Sequence, residues 1–280
     1  MLEPIVGMAV AKAADADEAE PERVARGLLI RVLGPSADAI DEALGRYTAY
    51  RVRNVGSIIE RADAKSRDSI ETRKVVNPRV AHVLLEAGSY CDDELITDYL
   101  GGVLAGSRTP HGRDDRAVTW SGVVTSLSTL EVRAHYLLYR EWAARLHDRA
   151  DLNLGVSEDR YQATMDVDLG EFLPALIQGV EVPAQDALGH SIPGLIRVGL
   201  LENEYYIGPR ESTGEPDPKF EHLLRVMPSV IGLELYGWAQ GLPGLSPADF
   251  PAKAVAFDLE EAIPRLASVM LPNLPERATA

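Results

Sequence analysis

The chain has 280 residues, of which 46% are apolar and 25% charged, so one large or two smaller folded domains are expected and wholesale disorder is excluded. Its net charge of -15 argues against general nucleic-acid binding, because phosphate contacts require Lys and Arg. Cys91 is the single cysteine, which excludes an intramolecular disulfide and a zinc site built from cysteines. With no signal peptide and no apolar run of spanning length, the sequence predicts a cytoplasmic protein without a membrane span.

The first half of the chain has helical periodicity. We interpret residues 1–21 as a flexible acidic tail and residues 22–149 as one helical bundle. A short helix is predicted over Glu22–Leu33. A long one is predicted over about Ala37–Arg67 after an N-cap at Ser36, with apolar residues recurring at helical spacing. Asn77, as a cap before Pro78, predicts the next helix start.

The bundle continues through a helical hairpin and two further helices. Asp92, Asp93 and Glu94 form an acidic turn that suits a helix N-terminus electrostatically. A loop over Gly106–Arg116 ends the second helix of the hairpin, and another helix is predicted over about Val118–Leu127. Ser128 and Glu131 then have the spacing of a capping box, which predicts a helix over Thr129–His147.

Residues 150–280 have a different composition, with more Gly and Pro and shorter apolar runs, and we predict a small acidic α+β domain that is winged-helix-like. The fold class is therefore mainly α, an N-terminal helical bundle followed by this module. The predicted elements are a strand at Tyr161–Val167, a helix-turn-helix remnant at Pro183–Leu201, wing strands at Glu204–Ile207 and Leu223–Met227, a helix at Pro228–Gln240 and a strand at Lys253–Phe257.

The polar loop after the hairpin is the one concentration of chemically versatile side chains. Its candidate binding residues are Arg108, His111, Arg113, Asp114, Asp115 and Arg116. The simplest interpretation is a self-paired salt-bridge loop whose aspartates cap the helix starting near Ala117. The alternatives are a ligand or partner site in which arginines hold an anion, and a catalytic site in which the carboxylates and His111 hold a metal.

Other signatures of catalysis are missing from the sequence. The histidines have no His-x-x-x-His or Glu-x-x-His spacing, and Ser121 lies outside a Gly-x-Ser-x-Gly elbow. Phosphate-binding glycine motifs do not occur. We therefore expect no catalytic residues, no metal and no cofactor.

Charge is distributed unevenly along the chain. Residues 46–79 contain nine Lys and Arg against four Asp and Glu, whereas residues 151–280 contain eight against twenty. The sequence predicts that the basic helix face docks on the acidic C-terminal half, with a ligand-binding patch as the alternative. The predicted helix-turn-helix carries Arg197 and little else that is basic, which favours a packing or protein-interaction module over one that reads DNA.

The stretch LLEAGSYCDDELITDYLGGVLAGS, Leu84 to Ser107, resembles the signature of the Abi-alpha (abortive infection alpha) family. VTWSGVVTSLSTLEVRAHYLLY, Val118 to Tyr139, resembles the helix pair that follows it there, and GLLENEYYIGP and VMPSVIGLELYGWAQG resemble the end of that domain. The resemblance covers about Arg46–Gln240. Tyr99–Gly102 departs from the expected Trp and Ala. The resemblance implies a role in bacterial defence against phage and transfers no catalytic residue.

The sequence therefore leads to one main hypothesis and two alternatives. The main hypothesis is a non-enzymatic cytosolic defence protein that binds a partner or ligand through the Arg/Asp loop and the basic helix face. The expected partner is another protein or a second copy of the chain, and we expect a homo-oligomer. The first alternative is a metal-dependent phosphoesterase or nucleotide-processing enzyme using His111, Asp114 and Asp115. The second is a winged-helix DNA-binding regulator, which the acidic charge disfavours.

Overall fold

The structure, a computed structural model, describes residues 37–66, 74–209, 222–254, 256 and 263–275, with side chains from Thr48 onward. The predicted tail 1–21, the helix Glu22–Leu33 and the Ser36 cap lie outside the described residues. The described helices are α1 Ala37–Ser66, α2 Pro78–Gly88, α3 Glu94–Gly106, α4 Ala117–Ser126, α5 Thr129–Arg145, α6 Ser157–Gln162, α7 Leu169–Leu176, α8 Ala184–Arg197, α9 Val230–Ala239 and α10 Phe250–Lys253. The strands are β1 Met165–Asp168, β2 Tyr206–Pro209, β3 His222–Val226 and β4 Val269–Met270.

Helices α2, α3 and α5 begin where the sequence places capping side chains. The Asn77 side chain accepts a hydrogen bond from the amide of Arg79, with Pro78 in the first turn. Asp93 caps α3 by accepting from the amide of Ile96. Ser128 and Glu131 form the predicted capping box at the start of α5. These local interactions confirm the predicted order of α1 to α5, with ends within a few residues of the predictions.

Helix α3 lies at the centre of the bundle. All but two of its residues are buried, and it packs against α1, α2, α4, α5 and α9. A Cβ built on Gly102 would overlap the carbonyl group of Ala239 and lie 2.8 Å from the Ala239 Cα. Only a glycine therefore allows the α3 and α9 backbones to approach this closely.

The four strands form one antiparallel sheet in the order β2-β3-β1-β4. Strands β2 and β3 pair antiparallel near the predicted Glu204–Ile207 and Leu223–Met227, while their role as a wing stays a prediction; their connection, residues 210–221, lies outside the described residues. Asp166 on β1 and Arg225 on β3 face each other across the two strands and form a bidentate ion pair, with Nε–Oδ1 and Nη2–Oδ2 distances of 2.6 and 2.8 Å. The described residues are thus mainly helical with a small antiparallel sheet, as the sequence predicted at this level.

Three predictions in the second half are wrong in whole or in part. Of the predicted strand Tyr161–Val167, Tyr161 and Gln162 end helix α6, whereas Met165–Val167 lies in strand β1 as predicted. Pro183–Leu201 contains one helix, α8, and no turn between two helices, because Pro193 is accommodated inside it. Lys253 ends a short helix; of the predicted strand Lys253–Phe257, Val255 and Phe257 lie outside the described residues.

The segment 263–275 is held to α5 mainly through its own backbone. Arg140 donates to the carbonyls of Ile263 and Pro264, at 3.1 and 2.5 Å, and Arg145 donates to those of Leu266 and Ala267, both at 3.3 Å. The Glu171 carboxylate accepts from the amides of Ala267 and Ser268 at 2.7 and 2.9 Å. These contacts place β4 against β1 and lower the pKa of Glu171, since the hydrogen bonds and nearby Arg145 outweigh the opposing effect of burial.

The buried apolar side chains form one continuous cluster that contains residues from both sides of position 149. Helix α5 contacts α3 on one side and α7, α8 and α9 on others. The predicted boundary at 149/150 precedes helix α6 and the first strand, β1, and as a boundary between separately folding domains it stays a prediction. Among the described helices, none is both long and apolar enough to cross a membrane.

The close approach of α3 and α9 leads to a matched pair of glycine substitutions. Gly102→Ala is expected to lower the free energy of unfolding by about 3 kcal/mol, because the added methyl group meets backbone that cannot move aside alone. Gly122→Ala, on α4, is the control. A Cβ there meets nothing within 4 Å, so the change is expected to stabilise the protein by up to about 1 kcal/mol through helix propensity. Urea denaturation measures both, and equal effects would contradict the assigned contact.

Candidate functional site

Backbone hydrogen bonds hold the first part of the Arg/Asp loop, residues 107–116, to the segment before α2. Ser107 ends α3, and its hydroxyl donates to the carbonyl of Leu104 at 2.7 Å. Val75 and Thr109 then exchange two backbone hydrogen bonds of 2.9 and 3.0 Å in an isolated antiparallel bridge. Gly112 has a φ of +59°, a conformation that other residues rarely adopt. The loop is therefore fixed between the segment before α2 and the start of α4.

Two ion pairs organise the charges of this loop. Arg116 Nη2 lies 2.6 Å from Asp114 Oδ2, and its Nε lies 3.0 Å from both carboxylate oxygens. The side-chain and backbone hydrogen bonds from Arg116 lower the pKa of Asp114. Asp115 instead pairs with Arg79 of α2, at 2.8 Å. Because both pairs are exposed, each contributes at most about 1 kcal/mol to stability.

The structure does not bring the six predicted site residues into one cluster. Arg108 donates to the carbonyl of Lys74 at 3.5 Å, while His111 and Arg113 are exposed. Neither His111 nor Arg113 has an ion pair with another described residue. Within the part of the chain that the structure describes, no group of three His, Cys, Asp or Glu side chains is arranged to hold a metal ion.

The predicted capping role of the aspartates is wrong. Arg116 occupies the N-cap position of α4, and no side chain caps that helix. Asp114 accepts from the amide of Arg116, at 3.1 Å, which stabilises the turn before the helix. Self-pairing within the loop holds for Asp114 and Arg116, whereas Asp115 reaches outside the loop to α2.

Three basic residues of the stretch 46–79 form ion pairs, and none of these pairs is with an acidic residue of the C-terminal half. Arg51 pairs with Glu86 at 2.8 Å, Arg79 with Asp115, and Lys65 with Asp98. All three carboxylates belong to residues 78–116. These pairs therefore join neighbouring segments of the bundle, because charges in contact interact more strongly than a distant charge excess that salt screens.

A buried ion pair between α1 and α3 was missed by the sequence analysis. Lys65 Nζ donates to the Asp98 carboxylate at 2.5 Å, to the Asp98 carbonyl at 2.8 Å and to the Ala239 carbonyl at 2.7 Å. Burial lowers the pKa of Lys65 although Asp98 acts in the opposite direction. One ammonium group thus ties α1, α3 and α9 together, with its three donors satisfied. The sequence does not indicate that Lys65 is in an ion pair, because an exposed Lys is also common in the last turn of a helix.

A second buried polar group is His135, on α5. Its Nε2 lies 3.1 Å from the Gly232 carbonyl, which can only accept, so Nε2 carries the proton and Nδ1 accepts from the Tyr99 hydroxyl at 2.8 Å. The ring stacks on Tyr139 with centroids 4.3 Å apart. Burial lowers the pKa of His135 to about 3, while its hydrogen bond to Gly232 acts in the opposite direction. The imidazole is therefore neutral and acts as a structural link from α3 through α5 to α9.

Ser128, Glu131, His190 and Arg197 meet where α5 begins beside α8. Arg197 Nη2 lies 3.1 Å from Glu131 Oε1, and His190 Nε2 lies 3.0 Å from Ser128 Oγ and 3.8 Å from Glu131 Oε2. Serine and carboxylate both face Nε2 of the histidine. A catalytic triad needs the carboxylate on the other ring nitrogen, so this arrangement extends the capping box and does not form a nucleophile.

The buried His135 makes stability depend on pH in a defined range. Unfolded, His135 has its ordinary pKa near 6.5, so between pH 6.5 and 3 the unfolded chain binds a proton that the folded chain excludes. Stability is present above pH 6.5 and falls as the pH approaches 3, by roughly 4 kcal/mol from this group. His135→Gln keeps a donor and an acceptor but cannot titrate. Its free energy of unfolding should therefore fall less steeply over this range than that of the wild type.

Urea titrations at several pH values measure this difference. The exposed His147 and His190 and all carboxylates remain in both proteins, so their contributions cancel in the comparison. Parallel curves for the two proteins would show that His135 is not the neutral buried link.

No family model, no curated protein and no solved structure matches the chain. The likeness of about Arg46–Gln240 to the Abi-alpha proteins rests on the sequence motifs alone.

Proposed function

We propose that this chain is a non-enzymatic cytosolic protein of the abortive-infection type, which protects bacteria against phage by binding a partner through the loop 107–116. The observation that supports the proposal is that the loop 107–116 has a backbone held by hydrogen bonds and carries exposed charged side chains. The Val75–Thr109 bridge holds the loop, and Arg113 and His111 are exposed on it. The resemblance to the Abi-alpha family supplies the biological setting.

The balance of charge on the loop indicates the chemistry of the partner. Four arginines stand on or beside it, Arg79, Arg108, Arg113 and Arg116, against the two aspartates. Pairing neutralises Asp114 and Asp115 and leaves a local positive excess on a protein whose net charge is -15. We propose an acidic protein surface as the partner, because carboxylates suit guanidinium groups and the overall charge repels nucleic acid.

The β2–β3 hairpin and helix α8 belong to the proposal as a winged-helix-like interaction module. Arg197 is the basic residue of α8 that could contact DNA, and it pairs with Glu131. A DNA-reading helix needs several such groups directed at the groove. The module is therefore assigned to packing and protein contact, and not to operator binding.

The enzymatic alternative requires carboxylates that can bind a metal. Asp114 and Asp115 would first have to leave Arg116 and Arg79. No specific observation favours this exchange, so binding without catalysis is the function that the geometry supports best.

The loop's role can be tested with a double substitution. Arg113→Ala with Asp114→Ala removes an exposed cation and the anion that holds Arg116, and it should abolish protection in cells challenged with a panel of phages. The stability cost is expected to be about 1 kcal/mol, since the Asp114–Arg116 ion pair and the hydrogen bond from the Arg116 amide are lost. Circular dichroism and urea denaturation check that the variant folds.

The matched control removes an exposed pair elsewhere. Asp249→Ala with Lys253→Ala deletes an ion pair of 3.1 Å on α10 and should leave protection unchanged. Full protection by the folded loop variant would refute the role of the loop. Absence of protection by the wild-type chain against every phage tried would refute the defence function itself.

A further inference from the structure

Helix α1 has an inner face that accounts for its packing. Ile58 and Ala62 are buried against α3, and Asn54 donates to the Ser89 carbonyl at 3.0 Å. Arg51 and Lys65 lie on the same side and make the ion pairs described above. These five residues recur at helical spacing and fix the orientation of α1 on the hairpin.

The outward face of the same helix carries apolar side chains in contact with solvent. Val52 is 55% exposed and Ile59 is 48% exposed, and they are among the most exposed large apolar side chains described. Seven residues apart, they lie on one flank of the outward face about two turns from each other. Ala49 and Gly56 lie along the middle of that face.

Gly56 has no role in the packing of the described chain. A Cβ built on it meets nothing within 4 Å, whereas one built on Gly102 would overlap the backbone of α9. A glycine inside a helix costs about 1 kcal/mol relative to alanine. A helix that crosses α1 closely at this point would explain the residue, as α9 explains Gly102.

The other flank of the outward face carries opposite charges in a reciprocal order. Arg53 and Glu60 are both exposed and seven residues apart, with Gly56 between them. Arg53 also lies over the ring of Tyr50, 5.7 Å from its centroid. In a second α1 that runs in the opposite direction and is centred on Gly56, Arg53 stands at the height of Glu60 of the first helix. Val52 of the second helix likewise stands at the height of Ile59 of the first.

This reciprocity distinguishes the two ways in which a second α1 can pack. In an antiparallel pair, a twofold axis through the Gly56 crossing sets Val52 beside Ile59 of the other copy and Arg53 beside Glu60 of the other copy. In a parallel pair, the apolar flank of one helix meets the charged flank of the other. In the antiparallel arrangement, apolar side chains meet apolar ones and opposite charges meet each other. In the parallel arrangement, neither kind of contact forms.

We propose that the outward face of α1 is the interface of a twofold symmetric homodimer, in which two copies of α1 cross antiparallel at Gly56. The inference goes beyond the proposed function, because the loop 107–116 takes no part in the contact. Residues 46–66 of each copy overlap over about 30 Å of helix. The small residues Ala49 and Gly56 let the backbones approach, and the flanks supply apolar contact and two equivalent ion pairs.

Disulfide formation tests the crossing point. In a Cys91→Ala background, Gly56→Cys places the two thiols on the twofold axis, where the Cα atoms come within the roughly 7 Å that a disulfide requires. Mild oxidation of the full chain should give a covalent dimer on a non-reducing gel. Gly122→Cys in the same background is the matched control, since it is also a helical glycine with open space around it, and it should remain monomeric on the gel.

Charge reversal tests the antiparallel pairing. Arg53→Glu or Glu60→Arg alone creates two like-charge contacts in each dimer and should raise the dimer Kd about tenfold or more, measured by sedimentation. The combined Arg53→Glu, Glu60→Arg variant should restore the wild-type Kd. The two residues are about 10 Å apart along one helix, so restoration reports contact between copies.

Three results would overturn the proposal. The first is a wild-type chain that stays monomeric at 100 µM, as it would if another segment of its own chain covered the face. The second is equal cross-linking at Gly56→Cys and Gly122→Cys. The third is a double charge reversal as weak as the single ones. The folded loop variant Arg113→Ala, Asp114→Ala should still dimerise, so failure of this inference is distinguishable from failure of the proposed function.

Discussion

The close contact between Gly102 of α3 and the Ala239 carbonyl group at the end of α9 sets the spacing on which the rest of the structure depends. It brings α9, a helix from the second half of the chain, directly onto the central helix of the bundle. That proximity lets Lys65 reach the Ala239 carbonyl while bound to Asp98, so α1 is tied to the same point. A larger residue at position 102 would separate the helices and leave a buried ammonium group without one of its acceptors.

Helix α5 shows the consequence of such central packing for polar residues. All residues from Glu131 to Ala143 are buried, including five acidic or basic ones, Glu131, Arg133, His135, Arg140 and Glu141. Each has partners from a different part of the chain. Glu131 binds Arg197, His135 joins Tyr99 to Gly232, and Arg140 binds the carbonyls of Ile263 and Pro264. The ionisable groups of α5 therefore act as tertiary connections, which explains why an otherwise polar helix occupies the interior.

Charged side chains at the surface contribute little to holding the fold together, in contrast to those of α5. On the loop 107–116, the ion pairs are exposed and weak, but they lie on a backbone fixed by the Val75–Thr109 bridge. On the outward face of α1, Arg53 and Glu60 flank a glycine that the chain's own packing does not require. Both surfaces combine a rigid support with groups that a second molecule could satisfy. We propose an acidic partner for the loop and a second copy of the chain for the α1 face, because only the α1 face is complementary to itself.

The sequence by itself determined the features that depend on neighbours along the chain. Asn77 and Pro78, Asp93, and the pair Ser128 and Glu131 set the helix starts, since a cap needs only residues within one turn. The approximate positions of strands β2 and β3 were likewise predictable from the polar connection between them. For the candidate site, the sequence located the charged loop but not its pairing. Arg79, which binds Asp115, is 36 residues away and had been grouped with the basic helix face.

The tertiary structure alone decided the features that join distant residues. The extended appearance of Tyr161–Val167 did not prevent Tyr161 and Gln162 from ending helix α6. Pro193 did not divide α8, because the packing of that helix on α5 and α7 outweighs local propensity. The burial of Lys65 and His135 also had no local signal, since the same residues are ordinary on an exposed helix. Their hydrogen-bond partners come from other helices, and only the folded chain brings those carbonyl, carboxyl and hydroxyl groups within hydrogen-bonding distance.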